Sequence, residues 1–151
     1  MARARWVGVV AVLVFLHFAL RPIFTGWFAS PNLLVCAVLL SARGVRPGTA
    51  AALGFGLGLL EDAVAVTYFG LSTAMLTVLG YIGSRTRDLF LGEEPLFVGA
   101  YLFVGTWLVE LVQAIPGGGA AFVHNALLRG PLSALMTAVV GYVALPVLRI
   151  R

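Results

Sequence analysis

Long uncharged runs occupy most of this 151-residue chain and predict helices that cross a membrane. A helix needs about 20 residues to cross the hydrocarbon layer of a bilayer, and several of the runs are shorter than that. Some spans must therefore carry a charge near one end or be short and tilted. We predict six helices, approximately at residues 6–20, 30–42, 48–64, 70–84, 95–115 and 131–148.

The composition excludes an ordinary soluble protein. Hydrophobic residues make up 61% of the chain and charged residues only 11%, and the mean hydropathy is +1.03. A soluble domain carries about 25% charged residues, so this chain could not cover its own surface with polar groups. The longest segment between predicted spans, 116–130, begins with a proline and three glycines, and we expect it to be a loop without a fixed fold of its own.

The distribution of the arginines predicts the orientation, because the chain contains no lysine. With six spans and the N-terminus inside, eight arginines lie on the cytoplasmic side: Arg3, Arg5, Arg43, Arg46, Arg85, Arg87, Arg149 and Arg151. Only Arg21 and Arg129 lie outside, as the positive-inside rule requires. We therefore expect both termini to be cytoplasmic. The first span is expected to stay as a signal anchor, because no small-x-small cleavage site follows it.

The net charge of +4 does not indicate nucleic-acid binding, because the arginines stand between apolar runs and form no single basic face. They instead predict a cytoplasmic basic rim against anionic lipid or a cytoplasmic partner, formed by Arg43, Arg46, Arg85 and Arg87. The single cysteine, Cys36, has no partner for an intramolecular disulfide and lies in an apolar run, so we expect it to be packed.

Ionisable residues inside apolar spans are costly to insert, which makes them the first candidates for a functional site. They are His17, Glu61, Asp62 and Glu110, and at about 1.5 Å per residue all of them fall in the outer half of their spans. We define the outer polar cluster by five residues: Arg21, Glu61, Asp62, Glu110 and Arg129. His124 lies in the same outer region.

Two interpretations of the outer polar cluster stay open. The cluster forms a polar site for a ligand or for a segment of a partner, or it forms ion pairs that orient the helices, for example Arg21 or Arg129 with Asp62 or Glu110. His17 by itself is typical of a packed or hydrogen-bonded core histidine.

The third predicted span carries small residues at helical spacing, with Gly54 and Gly58 four apart and Ala50 one turn earlier. Such residues let helices approach closely in lipid. We therefore expect these three residues to form a packing face and this span to be central. The pattern supports tight packing better than it supports a dimer.

Enzyme signatures are missing from the sequence, which contains no GxSxG, no HExxH and no phosphate-binding loop. A membrane hydrolase or acyltransferase would have to use Glu61, Asp62, Glu110 and a histidine at no recognisable spacing. We therefore expect a protein that is not an enzyme and that needs no cofactor or metal.

Residues 54–85 read GFGLGLLEDAVAVTYFGLSTAMLTVLGYIGSR. This stretch resembles the rod shape-determining protein MreD family. In that family a glycine-rich span ends at an acidic residue, a Gly-Leu turn follows, and the next span ends in a Gly-Tyr motif. Asp62 matches the acidic residue, Gly70 matches the glycine of the turn, and Gly80 matches the glycine of the Gly-Tyr motif. Residues 31–34, PNLL, resemble the family's Pro-Asp-Leu-Leu entry to the second span, with Asn32 in place of the acid.

The resemblance implies a non-enzymatic scaffold of the bacterial cell-elongation machinery in the cytoplasmic membrane. Its partner would be an MreC-like bitopic protein, which links it to actin-like MreB, RodA and a class B penicillin-binding protein. The family is similar in fold to the substrate-binding S components of energy-coupling-factor vitamin transporters, which implies an S-component-like bundle. That similarity also supplies the alternative function, a vitamin-binding S component. The absence of AxxxA from the first span counts against this alternative.

Overall fold

The chain folds into helices in the computed structural model, which describes residues 2–24, 28–65, 68–86 and 95–149. Side chains are described for residues 7–24, 28–65, 68–86 and 96–144. No strand occurs in these ranges, so the predicted all-helical fold is confirmed for them. The first five helices are α1 (Ala2–Phe24), α2 (Leu33–Gly44), α3 (Pro47–Val64), α4 (Leu71–Thr86) and α5 (Pro95–Ala114).

The region after α5 differs from the expected loop. A 3₁₀ turn (Ile115–Gly117) leads into α6 (Gly119–His124), a π-helical turn (Asn125–Arg129) and α7 (Gly130–Arg149), which follow one another without a break. The prediction that 116–130 lacks a fold was therefore wrong for most of that segment. Its glycines are confined to the junction, where Gly118 and Gly119 have φ values of 58° and 48°. From Ala120 onward the residues favour a helix again.

The central helix of the fold is α2, where the sequence led us to expect α3. Ten consecutive residues of α2, Leu33 to Ala42, are buried, including Cys36. This helix contacts α1, α3, α4, α5 and α7. By contrast, α3 fully buries only the face formed by Ala50, Gly54, Gly58 and Asp62, and its large apolar residues Phe55, Leu59 and Leu60 are exposed.

The neighbour of α3 at this face is α4. A side chain at Gly54 would collide with the backbone of Leu76, and one at Gly58 would collide with the backbone of Thr73. In the other direction, Gly80 of α4 lies against the backbone of Ala50. Close backbone approach of this kind is the usual use of small residues between helices in lipid. The pair α3 and α4 therefore forms a tight antiparallel hairpin.

Three stretches of helix among the described residues are long and apolar enough to cross a membrane, namely Val7–Phe24, Leu96–Gly117 and Gly119–Ala144. The apolar helix α2 is shorter. Large apolar side chains are exposed on the surface of the protein, and the exposed fraction is 74% for Phe15 and 77% for Leu96. A soluble protein rarely exposes large contiguous apolar patches. By length, composition and surface, this is a membrane protein.

Candidate functional site: a polar cavity at one end of the helices

A cavity of about 410 Å³ lies where α1, α3 and α5 end and where α2 begins, beside the π-helical turn. We call it the polar cavity. Its charged and amide-bearing lining includes His17, Arg21, Glu61, Glu110, Asn125 and Arg129. Small-molecule sites in proteins have volumes of about 300 to 1,000 Å³, so this cavity has room for a small ligand. Four of the five residues of the outer polar cluster line it.

Glu61 is held from α1 by two side chains. His17 Nε2 lies 3.1 Å from Glu61 Oε2, and Arg21 Nη1 lies 3.4 Å from Glu61 Oε1. An ionised carboxylate only accepts hydrogen bonds, so the imidazole nitrogen is the donor. His17 and Arg21 are four residues apart and therefore share one face of α1. The result is a three-residue cluster that links α1 to α3 along one wall of the cavity.

Glu110 on the other wall is less completely bonded. Ser133 Oγ lies 3.0 Å from Glu110 Oε1 and 2.8 Å from the carbonyl oxygen of Ser30. A hydroxyl has one proton, so Ser133 divides its donation between these two acceptors. The side chain of Asn32 also hydrogen-bonds Glu110, and Arg129 acts on it electrostatically. No direct ion pair joins Arg129 and Glu110, both of which are described.

Asp62 does not line the polar cavity. Its carboxylate accepts hydrogen bonds from the backbone N–H groups of Gly70, Ser72 and Thr73, at 2.9, 3.1 and 2.9 Å. The Thr73 hydroxyl donates a fourth bond at 2.6 Å. Asp62 is only 2% exposed. It caps the beginning of α4, where free N–H groups and the helix dipole favour a negative charge.

The observed ion pairing therefore differs from the pairing that we expected from the sequence. We named Asp62 and Glu110 as partners for Arg21 and Arg129, whereas the pair observed among the described side chains joins Arg21 to Glu61. Successive residues of an α-helix point about 100° apart. For that reason Glu61 faces α1 and the cavity, while Asp62 faces α4.

The π-helical turn and its Asn125 are parts of the site that were not predicted from the sequence, whereas Arg129 was a predicted member of the outer polar cluster. Asn125 and Arg129 lie at its two ends, and both line the cavity. The indole N–H of Trp107 donates to the carbonyl oxygen of Ala126 at 3.0 Å and so anchors this turn on α5. A π turn is often found at functional sites. The sequence feature that could have indicated this part of the site is the spacing of Asn125 and Arg129, two polar residues four positions apart in an apolar run.

His124 lies next to this turn and is oriented differently. Its ring packs edge-to-face against Phe28, with the ring centroids 5.3 Å apart. Among the described residues, no group of three His, Cys, Asp or Glu side chains converges as ligands for a metal ion.

The described members of the predicted basic rim lie at the other end of the helices from the polar cavity. Arg43 is at the end of α2, and Arg46 immediately precedes α3. Arg85 is at the end of α4 and lies over the ring of Tyr81, 5.8 Å from its centroid. Arg87 lies outside the described residues.

The fold and the site together define an all-helical membrane protein with a polar cavity at one end. No protein-family model, no curated protein and no solved structure matches the chain.

Proposed function

We propose that this protein is a scaffold of the bacterial cell-elongation machinery, related to the MreD family. In this proposal it forms a compact S-component-like bundle of six transmembrane helices in the cytoplasmic membrane, with both termini inside. It binds the transmembrane helix and membrane-proximal part of an MreC-like bitopic partner. Through that partner it acts together with MreB, RodA and a class B penicillin-binding protein to position peptidoglycan synthesis.

The observation that carries the proposal is the part played by the resemblance residues in the α3–α4 hairpin. Asp62 caps α4, and Gly70 donates its N–H to Asp62 with a φ of 98°. Gly80 lies against the backbone of Ala50. Only glycine readily adopts the φ of Gly70 or permits the close approach at Gly80, and at Asp62 a carboxylate accepts the N–H groups at the beginning of α4. All three residues therefore have defined structural parts in the hairpin, which supports the proposed kinship with the family.

The separation of charges between the two ends supports the proposed orientation. The described residues of the basic rim are at one end, and the polar cavity with Arg21 and Arg129 is at the other. Arginine-rich ends of short membrane helices face the cytoplasm. The polar cavity would then open toward the outer side of the membrane.

Co-expression with the MreC-like protein of the same source tests the scaffold role. We expect the two proteins to purify in detergent as a complex of fixed stoichiometry. Deletion of the periplasmic part of the partner should leave the complex intact if the transmembrane and membrane-proximal segments carry the contact. Recovery of each protein without the other, from membranes that contain both, would contradict the proposal.

The vitamin-binding S component is kept as the second candidate because one observation favours it. The polar cavity has the volume and the polar lining of a small-ligand site. This candidate requires a tightly bound vitamin in the purified protein, or recovery with an ATPase module. Either result, without the bitopic partner, would favour transport over the scaffold.

A further inference from the structure

We propose that the polar cavity binds a zwitterionic group, with an ammonium at Glu110 and an anion at Arg129. The proposed chemistry is that of a primary ammonium a few bonds from a phosphate or carboxylate. A phosphatidylethanolamine headgroup and a free zwitterion both present it. This inference goes beyond the scaffold role and does not depend on it.

Glu110 provides the acceptor for the ammonium. A carboxylate can accept about four hydrogen bonds, and this one receives a shared bond from Ser133 and a bond from Asn32. Both are neutral donors. A carboxylate in an apolar span is costly unless its charge is compensated. Arg129 acts on this carboxylate electrostatically but without direct contact, so an ammonium in the cavity would add a directly bonded cation and further donors.

Arg129 provides the cation for the anionic group. It lies at the end of the π-helical turn and lines the cavity, but it forms no direct ion pair with any carboxylate that the structure describes. A guanidinium offers five N–H donors in a planar fork that suits phosphate and carboxylate oxygens. Asn125, at the other end of the same turn, adds an amide beside it. The π-helical turn, which Trp107 anchors on α5, therefore places Arg129 and Asn125 at the cavity as donors for an anion.

The balance of charge determines which ligands fit. Two arginines and two glutamates line the cavity, and the formal charges of these four residues cancel. Arg21 and Glu61 already neutralise each other within the His17 cluster. Glu110 and Arg129 remain as one acidic and one basic side chain without direct contact. A simple anion would leave Glu110 uncompensated, and a simple cation would leave Arg129 uncompensated, whereas a zwitterion serves both.

Lipid selectivity in the purified full chain tests this inference. The protein in detergent is offered equal amounts of phosphatidylethanolamine, phosphatidylcholine and phosphatidylglycerol, and retained lipid is counted by native mass spectrometry. Phosphatidylcholine keeps the charges but has no N–H donor for Glu110, and phosphatidylglycerol has no cation. We expect phosphatidylethanolamine to be preferred by roughly tenfold, the effect of one charge-assisted hydrogen bond.

Variants locate the preference in the cavity. Glu110→Gln keeps the side-chain shape and should abolish the discrimination between ethanolamine and choline. Arg129→Gln should weaken retention of every phospholipid that enters the cavity. His124→Gln, beside the turn but packed against Phe28, is the matched control and should keep the wild-type pattern. An ethanolamine preference that survives Glu110→Gln, or undiminished phospholipid retention by Arg129→Gln, would overturn the assignment. Because each variant tests a separate contact, one of them still gives a result if the other fails to fold.

Soluble glycerophosphoethanolamine distinguishes the two sources of the zwitterion. If it raises the melting temperature of delipidated protein and displaces phosphatidylethanolamine from the lipid-bound protein, the site accepts a free zwitterion. If it has no effect while phosphatidylethanolamine is retained selectively, the ligand is the lipid headgroup. Equal retention of the three lipids together with no effect of the soluble compound would overturn the inference. None of these results depends on the presence of the bitopic partner, so failure here is distinct from failure of the scaffold role.

Discussion

Asp62 and Thr73 are joined by two hydrogen bonds, one from the Thr73 backbone N–H at 2.9 Å and one from its hydroxyl at 2.6 Å. Both residues are buried, at 2% and 9% exposure. This double contact fixes the beginning of α4 against the end of α3. It explains why an acid follows the glycine-rich face of α3, and it gives Asp62 a part in the fold that is separate from the polar cavity.

Thr73→Val should therefore destabilise the protein by about 1 to 3 kcal/mol, because a buried acceptor loses its hydroxyl donor while the side-chain shape is kept. Thermal unfolding in detergent measures the effect. Thr77→Val is the matched control, since the Thr77 hydroxyl bonds only to the carbonyl oxygen of Thr73 in its own helix. Equal losses from the two substitutions would contradict the capping role of Asp62.

The close approach of α3 and α4 predicts opposite effects for two neighbouring glycines. Gly54→Ala should destabilise the hairpin, because the new Cβ would overlap the carbonyl oxygen of Leu76. Gly56→Ala faces open space and should be neutral or stabilise the helix by up to about 1 kcal/mol. The comparison uses resistance to unfolding in increasing SDS. Similar behaviour of the two variants would show that the helices are not in tight contact at Gly54.

The two walls of the polar cavity should differ in a double-mutant cycle. Arg21→Gln and Glu61→Gln remove a direct ion pair, so we expect a coupling energy of about 0.5 to 3 kcal/mol. Arg129→Gln and Glu110→Gln should couple more weakly in the delipidated protein, because no direct ion pair joins them. Unfolding free energies of the single and double variants give both values. Stronger coupling at Arg129 and Glu110 would mean that these residues pair directly and leave no place for a ligand.

The proposed topology predicts the side on which fused reporters work. A reporter active only in the cytoplasm should be active after Arg151. A reporter active only outside should be active when inserted at the glycine junction, Gly117–Gly119. A silent C-terminal reporter, in a fusion shown to be present in the membrane, would contradict six spans with both ends inside.

Much of the helical order could be predicted because hydropathy is a local property. Runs of apolar residues bounded by charges or prolines marked α1 to α5 to within a few residues. The helical segment before Arg129 was not predicted because proline and glycine disfavour a helix, whereas in the structure Gly118 and Gly119 interrupt only the junction. The central position of α2 could not be predicted, since burial on all sides depends on which helices surround it.

The level of the charged residues along their helices could likewise be predicted from the sequence, because the rise per residue converts position along a helix into distance. Their pairing was not. Glu61 and Asp62 are adjacent in the chain, yet the helical turn directs one to His17 and Arg21 and the other to Thr73. Sequence alone therefore determined an all-helical membrane chain with acids and arginines at one level. Only the tertiary structure decided which acid caps a helix and which acids line a cavity, because those contacts depend on the rotation of each helix about its own axis and on its neighbours.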